Sequence, residues 1–473
     1  MENIIKNLIA NLSQEITKAE LFSYFSVEIF CVIGIIVNII LFLFFKRKLN
    51  IRRLSDVTTF CIFVINFLIS SSIFIKNKLL FGDFSPSVIG GGLVFDNQNL
   101  LFQIFINLFF ILYILSTYKL TRKARYNVTL VNSSLLTCSL FSLILIKLVN
   151  PIIAFITLDI TSFYIYKSAS VARFKKDSIF SPNFIAISLI STILFYLFFA
   201  SSFIVKEEIQ MAVVGVCLSC AILLKAGLFP VYNYSLTRCD KNNLPFSILL
   251  YNYLPFLGIV TFTKFIQNID YSNKIYFLAF SAFLATVIFT CAIYSFKTKN
   301  INRYLANCFY IYSAIHIAAL LTLPNNAAVI NSLLMFTFAF LAINSLLCVI
   351  KINFKNEKIN LSLLKGFFIK NRKFCAIFSI LLLIIANIIP SALLISNYNI
   401  VKNLLLQNAH GSLLTITFLF AYLLIALSAL KIIKNLYSKK DSLEPLFVLT
   451  KRTTLNYVVP LIILLFLITK MFL

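Results

Sequence analysis

The chain has no tryptophan, only two histidines, and 16 acidic residues against 42 lysines and arginines in 473 positions. Charged residues make up 12% of it, too few to solvate the surface of a soluble chain this long. The longest polar connectors, near 351–372 and 431–454, are too short to fold alone, which excludes a soluble domain. No glycine-rich phosphate loop follows a strand, because Gly90, Gly91 and Gly92 form an isolated turn. His316 and His410 lie far apart and make no metal-ligand spacing. The ten cysteines are scattered, mostly inside apolar runs, and define neither a disulfide framework nor a redox compartment. Cys217 and Cys220 form a CxxC in an apolar helix without a second pair, where small core residues are the simpler reading. Residues 1–20 carry no signal-peptide cleavage pattern.

What remains is hydrocarbon. Hydrophobic residues are 60% of the chain and the mean hydropathy is +0.94, the composition of a polytopic membrane protein. Apolar windows long enough to cross a bilayer fall at about 24–45, 57–75, 99–117, 132–148, 150–166, 182–205, 210–236, 244–263, 274–296, 303–323, 327–350, 373–396, 411–430 and 455–472. The expected fold is therefore all-α, about fourteen transmembrane helices in a single integral membrane domain over 1–473. Only Asn150-Pro151 divides the fourth window from the fifth. Lysine and arginine fall on alternate connectors with a bias of roughly three to one. That bias predicts an even number of spans with both termini on the outer, positive-potential side. The net charge of +26 is then an orientation signal, and no nucleic-acid partner is implied.

One stretch organises the rest: Met211 to Arg238, MAVVGVCLSCAILLKAGLFPVYNYSLTR. It holds Lys225 near its centre and Pro230 five residues on. An ammonium at the bilayer midplane costs a few kcal/mol or more. Proline removes a backbone donor and clashes with the preceding turn, so the helix is expected to break near Gly227–Pro230. Both features require a protein or water-filled surround at that point. Snorkelling is the structural alternative, but the interface is too distant for one side chain.

Among the acidic residues Asp159 stands out, deep in PIIAFITLDITSFYIY and flanked by Thr161 and Ser162. A buried carboxylate protonates or finds a cation, and Lys225 is a candidate at comparable depth in another span. Such a pair can be poised for proton exchange or can simply pin two helices. Lys402, beyond Pro390, could line an interrupted twelfth span or sit at the outer surface. Lys147 and Lys264 lie near span ends where lysines snorkel, and Glu28 and Asp96 read as interfacial.

With these residues in place a resemblance emerges. KAGLFPVYNYSLTRCDKNNLPFSILLY resembles the signature of the antiporter-like proton-translocating subunits of respiratory complex I: a lysine, GLFP, a short loop, then P-x-S-x-L-L. Here those are Lys225, Gly227 to Pro230, and Pro245, Ser247, Leu249 and Leu250. ITLDITSFYIY is similar to the family's GLELLSLPLY, NINRYLA to NIKRLLAYSS, and GLVFDNQNLLF to the segment before its third helix. VEIFCVIGIIVNIILFLF resembles the opening of the branch called subunit N in bacteria and subunit 2 in mitochondria. The likeness covers most of the chain, with its core at about 92–436.

The resemblance implies a fold with two broken helices, at Pro230 and Pro390, and a central line of charged residues and water. It implies Asp159 as the modulating acid, Lys225 as the central proton carrier, and Lys402 as the outlet lysine. It also implies that the chain binds no flavin, haem, cluster or metal, and that its partners are other membrane subunits, protons and lipid. The setting it implies is the bacterial inner membrane or, alternatively, the mitochondrial one. Several positions depart from the family pattern. The acid is Asp rather than Glu, and Pro255 stands where the family has a bridging lysine or histidine. The serine run of the tenth helix is Asn307, Cys308, Phe309, and Lys402 lies farther from Pro390 than the pattern has it. A cation/proton antiporter or membrane-bound hydrogenase subunit of the same fold is the neighbouring reading. A lipid-linked saccharide flippase is the reading from a different class.

Overall fold

In a computed structural model of the chain, the residues described are 18–44, 49–80, 87–88, 93–94, 96–123, 127–171, 183–204, 220–221, 224–225, 249, 253–266, 274–322, 332, 336–337, 339–344, 346, 361–370, 372–389, 392–405 and 409–438. They are helical apart from short turns and a two-residue β ladder, Ser87–Val88 (β1) against Leu93–Val94 (β2). The helices are α1 (Lys18–Phe44), α2 (Leu49–Leu80), α3 (Asn97–Lys123), α4 (Val128–Lys147), α5 (Pro151–Val171) and α6 (Asn183–Ile204). They continue with α7 (Leu254–Ile266), α8 (Lys274–Lys297), α9 (Ile301–Thr322), α10 (Phe367–Lys370), α11 (Arg372–Ile385), α12 (Ala392–Leu405) and α13 (Ala409–Tyr437). Among the described residues, stretches of α1, α2, α3, α4 and α13 are long and apolar enough to cross a membrane.

Contacts gather the chain into two compact units, Met1–Ile114 with Thr121–Ser178, and Leu115–Leu120 with Ile179–Leu473. In the first, α1 packs on α4 and α2, and α4 packs on α5. In the second, α8 packs on α9 and α13, and α7 on α9.

Polar side chains set the helix boundaries. Asp96 caps α3, its carboxylate accepting from the Asn99 backbone N–H at 2.6 Å. The Asn150-Pro151 pair marks a real boundary. Asn150 Oδ1 accepts from the N–H of Ile152 at 2.9 Å, and Pro151 occupies the first helical turn, where its missing donor costs nothing. Asn300 starts α9 in the same way, accepting from the Asn302 N–H at 2.9 Å.

A break interrupts the span that the sequence divides at Pro390. Helix α11 ends at Ile385, and α12 starts at Ala392. Asn387 adopts the left-handed conformation, φ 56°. Its N–H bonds the Ile384 carbonyl at 3.0 Å, and the Ile388 N–H reaches back to Leu383 O at 3.0 Å. This is a Schellman stop with asparagine in the place glycine usually takes. The Tyr312 hydroxyl of α9 donates to the Ile385 carbonyl and so satisfies an acceptor the helix end leaves open. Pro390 itself and the expected break at Pro230 lie outside the described residues.

Candidate functional site

Lys225 is buried, 7% exposed, on a stretch that runs beside α6 in the second unit. Its ammonium donates to the Ser188 hydroxyl at 2.9 Å, to the Thr192 hydroxyl at 3.0 Å and to the Ser188 carbonyl at 3.4 Å. Ser188 and Thr192 are one helical turn apart on α6, so both hydroxyls project from one face. The Thr192 hydroxyl donates to the Ser188 carbonyl at 3.1 Å, which turns its lone pairs toward the amine. Ser191, on the same helix, donates to the carbonyl of Ala221 at 2.8 Å. That bond clamps α6 to the turn immediately before Lys225.

On another side the backbone comes close. A Cβ at Gly258 of α7 would lie 3.0 Å from Lys225 Cγ and 3.2 Å from its carbonyl oxygen. Glycine there lets α7 approach the lysine stem to contact distance. Pro255 sits in the first turn of α7, where proline is tolerated and offers no titratable group to the site. Beside it the interior is aromatic. Phe256 stacks on Phe340 with centroids 4.2 Å apart, and His316 stacks on Phe336 at 5.2 Å.

The other expected site residues fall as follows. Asp159 is half-buried on α5 in the first unit, whereas Lys225 belongs to the second. The flanking Thr161 and Ser162 hydroxyls bond back to Thr157 O and Leu158 O of their own helix. Lys402 occupies the last turn of α12 and is exposed. In the sequence, Ser188 and Thr192 are marked only as two hydroxyls at one-turn spacing within an apolar span.

Two residues read as interfacial turn out to be interior. Lys147 is 1% exposed and forms an ion pair with Glu28, itself 7% exposed. The Lys147 amine also donates to the Tyr24 carbonyl at 3.2 Å. Lys147 does not snorkel, because a carboxylate on α1 meets it inside the bundle.

These features define a predominantly helical, multi-pass membrane chain with a buried amine in an oxygen-lined niche and, among the described residues, a helix break at Asn387. The same fold occurs in solved respiratory assemblies. A chain of respiratory complex I from Thermus thermophilus with bound NADH aligns with a TM-score of 0.69 at 12% identity, covering 92% of this chain and 94% of that one. A chain of the membrane-bound sulfane sulfur reductase, an archaeal respiratory membrane complex, aligns with a TM-score of 0.72 at 13% identity, covering 96% and 94%. No family model and no curated protein sequence matches the chain. The likeness is thus one of fold, shared with chains of two respiratory complexes.

Proposed function

We propose that the chain is a proton-translocating membrane subunit of an NADH:quinone oxidoreductase, acting in a bacterial inner membrane beside other membrane subunits. The observation that carries the reading is Lys225, a buried amine held by neutral oxygens in a fold shared with chains of respiratory complexes. A permanent ion in that position would be a costly structural device, whereas an amine that gains and loses a proton is a functional one. The niche suits both forms. The ammonium donates to the hydroxyls of Ser188 and Thr192 and to the Ser188 carbonyl. When the amine is neutral, the Ser188 hydroxyl can rotate and donate to its lone pair, while the Thr192 hydroxyl stays committed to the Ser188 carbonyl.

In this reading Asp159 biases the proton affinity of Lys225, a negative charge favouring the ammonium. Lys402, exposed at the end of the broken span, is the outlet. Redox chemistry belongs to partner subunits. A second reading is a subunit of a related ion-translocating complex, and it is favoured by the TM-score of 0.72 to the archaeal reductase chain. Purification of the tagged chain in mild detergent tests the assignment. Co-purifying subunits with NADH:quinone activity support the first reading. A redox assembly without that activity selects the second, and isolation as a lone transporter rejects both.

A further inference from the structure

The first unit contains a buried polar interior that plays no part in the account of Lys225. On α1 it comprises Tyr24, Glu28 and Cys31; on α2, Asn66, Ser70 and Asn77; on α3, Gln103 and Asn107; on α4, Ser139 and Lys147. These residues follow helical spacing, so each helix turns a polar stripe into the apolar bundle. Contacts link them: Tyr24 hydroxyl to Asn77 Oδ1 at 2.8 Å, Asn66 Nδ2 to Cys31 Sγ at 3.2 Å, and Asn107 Nδ2 to Ser70 Oγ at 3.2 Å. Yet Glu28 Oε2, Asn66 Oδ1, Asn77 Nδ2, Asn107 Oδ1 and both amide ends of Gln103 have no hydrogen-bond partner among the described residues. Each such group buried dry costs roughly 1–3 kcal/mol by protein mutational data, so this interior is built to hold water.

The stripe is closed on one side. Phe63 stacks on Phe110 with centroids 5.0 Å apart, and Gly34 is packed against Ile62 and Leu136. Beyond this apolar layer lies a separate polar cluster, in which Asn132 Nδ2 donates to Ser55 Oγ at 2.9 Å and to the Asp56 carboxylate at 3.0 Å. Asn38 bonds Thr59 at 3.1 Å in the same cluster.

From this arrangement we propose that the Glu28–Lys147 pair is a second proton-exchanging site, separate from Lys225. Water along the amide-lined interior reaches it from the bundle end marked by Tyr24 and Asn77, and the Phe63–Phe110 layer seals it from the opposite cluster. Among the described residues, the charged and titratable groups that meet Glu28 are Lys147 from α4 and, on its own helix, Cys31; the Tyr24 carbonyl, one turn away, accepts from Lys147. From α2 and α3 the neighbouring polar groups are amides and a hydroxyl, and on α5 the Tyr164 ring packs against Phe141 of α4. In the exchange Glu28 takes up a proton from water at one oxygen and Lys147 stays within reach of the other. The net charge of the pair then changes by one, and no other bond is made or broken.

Infrared difference spectra of the full-length chain in nanodiscs, recorded between alkaline and mildly acidic pH, test this. Wild-type protein should show a protonated-carboxyl band that grows on acidification and is lost in Glu28→Gln. In Lys147→Met, which removes the cation that favours the carboxylate, the band should appear at higher pH than in the wild type. A purely structural ion pair gives no Glu28-dependent band, and that result overturns the proposal. Should Glu28→Gln fail to insert, Gln103→Leu keeps the pair and interrupts its water. Hydrogen–deuterium exchange of the carboxyl should then slow, and unchanged exchange also overturns the proposal.

Discussion

The Lys225 ammonium donates to the Ser188 hydroxyl at 2.9 Å, an oxygen that can also act as a donor to the amine once the amine has lost its proton. Thr192 cannot follow, because its own proton is given to the Ser188 carbonyl.

The two hydroxyls should therefore differ on mutation. Ser188→Ala removes a hydroxyl that accepts from the ammonium and can donate to the neutral amine. Thr192→Val removes only an acceptor of the ammonium. We expect Ser188→Ala to slow proton-coupled turnover by about tenfold or more, the equivalent of one lost buried hydrogen bond to a charged group. Thr192→Val should cost less and shift the pH profile toward lower pH, since weakening the ammonium lowers the proton affinity of Lys225. Turnover against pH in membranes measures both.

Gly258 tests the packing of the same site. A methyl there meets the Lys225 stem at 3.0 Å and its backbone carbonyl at 3.2 Å, so α7 or the lysine must move. Gly258→Ala should reduce turnover while the complex still assembles, and Gly258→Leu should abolish both. Native gel electrophoresis and activity on the same membranes separate the two outcomes.

How much of this was legible in the sequence follows from what each residue must do locally. Lys225 was legible because an amine in an apolar run has no cheap explanation, and the break near Pro390 because proline cannot continue a helix. The Asn150-Pro151 boundary was legible because cap and first-turn residues are local signals. Ser188 and Thr192 were not, since hydroxyls in apolar spans more often bond their own helix, as Thr161 and Ser162 do here. The Glu28–Lys147 pair was missed for a different reason. Each lies near a span end, where snorkelling is the local solution, and only the α1–α4 contact shows that the two meet.

The broken span offers a stability test. Tyr312 satisfies the Ile385 carbonyl at the point where α11 stops, and both residues are buried. Tyr312→Phe leaves that acceptor without its donor and should destabilise the protein by about 1–3 kcal/mol. Thermal unfolding of the purified protein in detergent reads the loss, and insertion should be unaffected.

Asp159 carries a prediction on rate. Under the proposed role of Asp159, Asp159→Asn removes a negative charge that would favour the Lys225 ammonium. Turnover should slow and its pH optimum fall, whereas Asp159→Glu should retain activity. An identical pH profile in the Asn variant would remove Asp159 from the mechanism.

The most direct measurement is proton translocation in sealed membrane vesicles carrying Lys225→Ala. The account predicts that the variant inserts and assembles, as judged by native gel, but that NADH-driven proton uptake attributable to this subunit is lost. Proton uptake at the wild-type stoichiometry in fully assembled Lys225→Ala complex would contradict it.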